Sequence, residues 1–140
     1  MDMTTAIELP VTLATASVLC LLCLVLAARV ISARYAHRAS IGDGGHPEVT
    51  MRMRTHANFS EYVPLLLILM GLIEATGGNR IALIVSGGVL IVARVLHAVG
   101  MPRPAPNFFR AAGAILTFLL LLSGAAYGLV LAWFQSNPST

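Results

Sequence analysis

The sequence predicts an all-α integral membrane protein, a bundle of four transmembrane helices in one domain over residues 1–140. Three observations carry this. Hydrophobic residues make up 57% of the 140 residues and charged residues only 11%, and the mean hydropathy is +0.83. Those values belong to membrane proteins. The apolar residues gather into four runs, each about the ~20 residues needed to cross a bilayer. The stretches between the runs are rich in Gly, Pro and Arg. All nine basic residues are Arg, and the formal charge of +3 is small and dispersed, which excludes a nucleic-acid-binding protein.

The first span is read over residues 10–34. Pro10 suits a first helical turn, and Arg29 and Arg34 end the run by reaching toward the headgroups. The segment before it carries Asp2 and Glu8 and no Arg, unlike the positive start of a cleaved signal peptide. Cys20 and Cys23 sit C-x-x-C inside Val18–Leu24 with no polar neighbour in sequence, so both read as inert thiols. The connection that follows contains Ile41-Gly42-Asp43-Gly44-Gly45-His46-Pro47, dense in turn formers but too lax for a phosphate-binding loop, and no strand precedes it.

The second span, residues 50–74, begins with Arg52-Met53-Arg54-Thr55-His56-Ala57-Asn58-Phe59-Ser60-Glu61-Tyr62-Val63-Pro64. Ionisable groups at membrane depth are costly and point to a site. Arg54, Asn58, Glu61 and Tyr62 stand four, seven and eight residues apart, one face of a helix. Arg52 and His56 fall on the other side. A cation, an amide, a carboxylate and a phenol on one face suit a small polar ligand, or a polar network tying helices together. Pro64 removes a backbone donor and is expected to kink the helix.

A short turn through Thr76-Gly77-Gly78-Asn79 leads to the third span, residues 80–100, which has Ser86-Gly87-Gly88 as a close-packing patch and carries Arg94 and His97. His97 reads first as a hydrogen-bonded interface residue and second as a catalyst. Pro102, Pro104 and Pro106 mark the next loop. The fourth span, residues 107–134, holds the small pair Gly124 and Gly128 and ends near Trp133, an interfacial aromatic like Tyr127. Arg103 and Arg110 read as headgroup anchors, with Arg110 also placed to point into the site. A polar tail, Gln135 to Thr140, closes the chain.

Four spans put both termini on one side. Arg29, Arg34, Arg38, Arg52 and Arg54 flank loop one; Arg94, Arg103 and Arg110 flank loop three; the opposite side has only Arg80. The positive-inside rule places loops one and three in the cytoplasm. Glu61 lies about 10 Å into the second helix beyond Arg54, and Arg94 about 9 Å from the same end of the third. Opposite charges at matching depth are expected to meet, directly or through a ligand. Arg94 then either neutralises Glu61 or also holds the ligand.

Arg54-Thr55-His56-Ala57-Asn58-Phe59-Ser60-Glu61-Tyr62-Val63-Pro64-Leu65 resembles the R-x-x-x-N-x-x-E-Y-x-P-L motif of the MAPEG family, membrane-associated proteins in eicosanoid and glutathione metabolism. Ala93-Arg94-Val95-Leu96-His97-Ala98-Val99-Gly100 is similar to the family's third-helix segment, and Ile41 to Gly45 to the loop of its bacterial members. The resemblance implies a homotrimer binding glutathione between subunits, with Arg54, Asn58, Glu61, Tyr62, Arg94 and His97 as binding positions and no metal. Glutathione would be a co-substrate, and the acceptor a hydrophobic small molecule arriving from the bilayer. The conjugating members carry tyrosines where this chain has His97 and Met101. Arg110 is the nearest match to the thiolate-stabilising arginine, hence the expected catalytic residue. The expectation is a glutathione-transferase or peroxidase-type membrane protein, in a bacterial inner membrane. The alternatives are a non-enzymatic lipid- or ligand-binding or scaffold protein of the same family, or a small subunit of a larger membrane complex.

The arginine asymmetry is testable by thiol labelling of sealed cells, in a background with Cys20 and Cys23 changed to Ser. Asn137→Cys should label from outside and Asp43→Cys only after permeabilisation. Labelling of Asp43→Cys from outside would reverse the orientation.

Overall fold

A computed structural model describes residues 8–137; Asp2 in the amino-terminal segment and residues 138–140 of the polar tail lie outside them. Four helices follow in order: α1 Pro10–Ala36, α2 Pro47–Ala75, α3 Arg80–Gly100 and α4 Phe108–Ser136. All four are long and apolar enough to cross a membrane. α3 matches its predicted span, while α1, α2 and α4 run two or three residues further at one end, as α2 does over Pro47–Val49. Pro64 lies inside α2 without ending it.

α1 packs on α2, and α3 on α4; α1 also touches α3, α2 touches α4, and α2 meets α3 least. α1 and α4 do not meet, so in cross-section α2 and α3 form the short diagonal of a rhombus. The core between them is Leu19, Leu26, Phe59, Val63, Leu66, Met70, Leu83 and Leu90. The outward faces carry many exposed apolar side chains, among them Leu21, Leu24, Leu72, Leu122 and Leu129. In water that would be a liability; in lipid it is the expected exterior.

Close approach is made by small residues. A Cβ on Gly87 of α3 would collide with the Thr15 hydroxyl of α1. On Gly113 of α4 it would lie 2.6 Å from the Ala93 carbonyl oxygen and 2.7 Å from the His97 nitrogen. Gly124 and Gly128 make room for Leu69 of α2. Thus the predicted glycine patches each serve one partner helix.

Helix ends account for several polar residues. Asn79 and Asn107 cap α3 and α4, their side-chain oxygens accepting from the Ala82 and Arg110 N–H groups at 3.0 and 3.1 Å. α1 has no side-chain cap of its own. Instead Glu74, at the far end of α2, accepts from the Val11 N–H at 2.9 Å and the Thr12 N–H at 2.7 Å. One carboxylate thus satisfies two orphan donors and faces the positive end of the helix dipole. α1 and α2 both end in a six-to-one turn: Ala39 N–H donates to the Arg34 carbonyl, and Gly78 N–H to that of Ile73. The left-handed position is Gly77 in α2 but Arg38 (φ 53°) in α1.

Loop one is ordered by Asp43, which accepts from the Gly45 N–H at 2.9 Å and the Thr50 hydroxyl at 2.6 Å. Those bonds, Thr50 first, hold its carboxyl below the ordinary carboxylate value. The loop therefore keeps this support above the ordinary carboxylate range and loses it as pH falls through the lowered value.

Glu74→Ala should lower stability in detergent by about 1–3 kcal/mol, because two part-buried donors lose a charged acceptor, and Glu74→Gln by less. Thermal denaturation checks this; unchanged midpoints would mean the start of α1 is held by other contacts.

Candidate functional site

Arg94 is the most deeply buried charged group among the described residues, 2% exposed. It leaves α3 in two directions. One terminal nitrogen donates to the Asn58 side-chain oxygen of α2 at 3.1 Å. The other donates to the Gly113 carbonyl at 3.2 Å and to the Thr117 hydroxyl, both on α4. Thr117 in turn donates to the Gly113 carbonyl at 2.8 Å. This reach to α4 is possible because Gly113 lets the two backbones approach.

The expected direct pairing of Glu61 with Arg94 is not present. The described residues contain only two ion pairs, Glu48 with His37 at 3.0 Å and with Arg52 at 2.5 Å. Glu61 is exposed, while Arg94 takes an amide, a carbonyl and a hydroxyl instead of a carboxylate. Neutral acceptors brought within bonding distance engage both terminal nitrogens of the guanidinium without the cost of also burying a carboxylate.

Asn58, held by Arg94, forms part of the wall of a recess of about 360 Å³ at the end of the bundle that carries loops one and three. The recess is lined by Arg54, Ala57, Asn58 and Glu61 of α2, His97 of α3, Met101 beyond it and Arg110 of α4. Arg54, Glu61 and Arg110 are exposed and make no ion pair among the described residues. Two free cations, one free carboxylate and one oriented amide thus face a common space. Arg110 stands in the first turn of α4, brought close by Gly100, whose added Cβ would lie 2.7 Å from the Arg110 Cα.

Of the predicted site residues, Arg54, Asn58, Glu61, His97 and Arg110 come together here. Arg94 stands behind the wall and positions Asn58. Tyr62 turns toward α4, its ring edge-on to Phe118 at 5.6 Å. Arg103 lies over the Phe109 ring at 4.3 Å, away from the recess. Tyr127 is far from it and accepts from the Asn79 N–H at 2.8 Å. Loop one also contributes: Asp43, Gly45 and Thr50 adjoin Arg54 and Arg110 in a neighbouring depression. Nothing in the local sequence signals that; it follows from the Asp43 bonds that fold the loop back onto α2.

A second, apolar cavity of about 220 Å³ lies between α2, α3 and α4, lined by Leu66, Met70, Leu83, Leu90, Leu120 and Tyr127 among others. The reading of both cysteines as lacking polar neighbours needs correction: Cys23 Sγ lies 3.8 Å from His56 Nε2. The two residues face each other across α1 and α2, a contact that spacing within one helix cannot reveal. The described residues include no cluster of three or more His, Cys, Asp or Glu able to hold a metal.

A family model described as the MAPEG family matches residues 12–130, which take in all the residues named in the recess. The chain belongs to the MAPEG family. Among curated proteins, this MAPEG chain is similar to the inner membrane protein YecN of Escherichia coli strains K12 and O6:H1, 34% identical to each over 71 residues. That match covers 51% of this chain and 54% of each relative, so the chain spans about half the length of the curated relatives it matches.

A double-mutant cycle separates the two possible partners of Arg94. Arg94→Ala and Asn58→Ala should couple by about 0.5–3 kcal/mol in a denaturation series, whereas Arg94→Ala and Glu61→Ala should add. Strong coupling to Glu61 instead would mean that the carboxylate, not the amide, meets the guanidinium.

Proposed function

We propose that this MAPEG protein binds glutathione, or a similar acidic thiol peptide, in the recess and transfers its thiolate to hydrophobic electrophiles arriving through the bilayer. The observation that carries the reading is the set of unpaired charges around one space: Arg54, Arg110 and Glu61. Glutathione has two carboxylates and one ammonium group. Arginine suits the former through paired donors, and Glu61 the latter. The recess volume falls in the range of small-molecule sites.

In this reading Asn58, locked by Arg94, bonds the peptide backbone and orients it. Arg110 acts on the sulfur. A guanidinium in the first turn of a helix adds its charge to the positive end of the dipole, and both favour thiolate over thiol. The thiolate attacks the electrophilic carbon and the leaving group departs with its electron pair. Positioning supplies the rest of the rate. Burial of the electrophile's apolar body needs only the lipid-facing helix surfaces beside the recess.

The family resemblance further supports a homotrimer in which a neighbour helps enclose the open recess. The similarity to an inner membrane protein, YecN, supports an inner-membrane location, and the arginine asymmetry supports cytoplasmic loops one and three. A second reading, a non-enzymatic ligand-binding member, is favoured by one observation: no hydroxyl lines the recess, so a thiolate there would have no hydroxyl donor to favour it.

Ultraviolet thiolate absorbance of bound glutathione, followed against pH, tests the proposal. The midpoint should lie below that of free glutathione. Arg110→Ala should raise it toward the free value, and Tyr62→Phe should leave it in place. A two-unit shift would correspond to about 2.7 kcal/mol. Glutathione binding by calorimetry without any thiolate signal would favour the non-enzymatic reading, and no binding at all would overturn both. Arg54→Ala or Glu61→Ala should weaken binding by about tenfold or more.

A further inference from the structure

We propose that Cys23 is a reactive thiol, with His56 as its base, that takes up uncharged apolar Michael acceptors from the surrounding lipid. The pair is separate from the recess: His56 does not line it and stands on the other side of α2. Cys23 Sγ and His56 Nε2 are 3.8 Å apart, and both residues are half-buried. Among the described residues the His56 ring bonds to nothing else, so its other nitrogen is available to carry the ring proton and leave the Nε2 lone pair facing the thiol. Cys23 packs beside the core that contains Leu19 and Leu26, and the neighbouring outer surface is apolar, with Leu21 66% and Leu24 68% exposed.

These surroundings define the electrophile. A free thiolate is costly in an apolar setting, so proton transfer and attack are coupled. The Sγ–H proton moves to His56 Nε2 while Sγ bonds to the β-carbon of an α,β-unsaturated carbonyl. The carbon–carbon π bond breaks and its electrons pass to the α-carbon as an enolate. That carbon then takes the proton from the imidazolium, leaving a thioether and a neutral histidine. No oxidant or second reactant is consumed. A charged electrophile is disfavoured because the way in is lipid.

Cys20 supplies an internal comparison. It lies in the same apolar run, is exposed, and has no hydrogen-bond partner among the described residues. Exposure alone makes Cys20 the faster thiol; activation by His56 makes Cys23 the faster one. The experiment treats the full-length protein in liposomes, without glutathione, with N-ethylmaleimide, and follows both adducts by peptide mass spectrometry. Cys23 should react about tenfold faster than Cys20 or more. His56→Gln should remove that advantage and leave the Cys20 rate unchanged. Equal rates, a faster Cys20, or a Cys23 rate indifferent to His56→Gln would overturn the proposal. The unmutated chain alone decides the order, so a poorly folding variant does not remove the test. Because glutathione is absent, the outcome is independent of whether the recess binds it.

Discussion

The guanidinium of Arg94 is the constraint on which the bundle and its recess both depend. A cation at this depth costs several kcal/mol if left without partners. Its two terminal nitrogens bond three groups on two other helices, Asn58 on α2 and the Gly113 carbonyl and Thr117 hydroxyl on α4. The arrangement works only if α4 lies close to α3, which the missing side chain of Gly113 permits. Removing the guanidinium would loosen two helix contacts at once. It would also release Asn58, whose amide forms part of the recess wall.

Buried and exposed charges divide the labour accordingly. Arg94 is enclosed and both its terminal nitrogens are bonded to protein acceptors, which suits a fixed support. Arg54, Glu61 and Arg110 are exposed and without ion partners, which leaves their bonding capacity for a ligand. Glu48 shows the other use of surface charge: it pairs with Arg52 and His37 and helps hold the first turns of α2 beside α1. Arg52 also donates to the Arg29 carbonyl of α1 at 2.9 Å. Residues of one chemical type within one half-helix thus differ in what they bond according to the face on which they stand.

Much of this was legible in the sequence because it depends on local rules. Apolar run length located the spans, and Pro10 marked the start of the first. Helical spacing put Arg54, Asn58 and Glu61 on one face. What was not legible depends on which residues of different helices meet. Charge complementarity suggested Glu61 for Arg94, but the acceptors are Asn58 from the same polar face, with a backbone carbonyl and a threonine that look like ordinary helix residues in sequence. Tyr62 shares the face by angle, yet Phe118 draws its ring toward α4. The Cys23–His56 contact and the return of loop one to Arg54 are likewise tertiary. Glu74 sits in sequence beside a turn; that it closes the start of a helix 63 residues away appears only in three dimensions.

That last contact bears on how the helices pair. α1 and α2 are fastened to each other at both ends, by Glu74 at one and by Arg52 and Arg29 at the other. α3 and α4 are fastened by Arg94, Gly100 and Gly113. Each pair is therefore a helical hairpin tied by contacts of its own. The seam between the hairpins is the turn at Thr76–Asn79, clasped to α4 by Tyr127 and Gln135. A chain severed there would part the shared core and its polar tie, leaving Asn58 on one piece and Arg94 on the other.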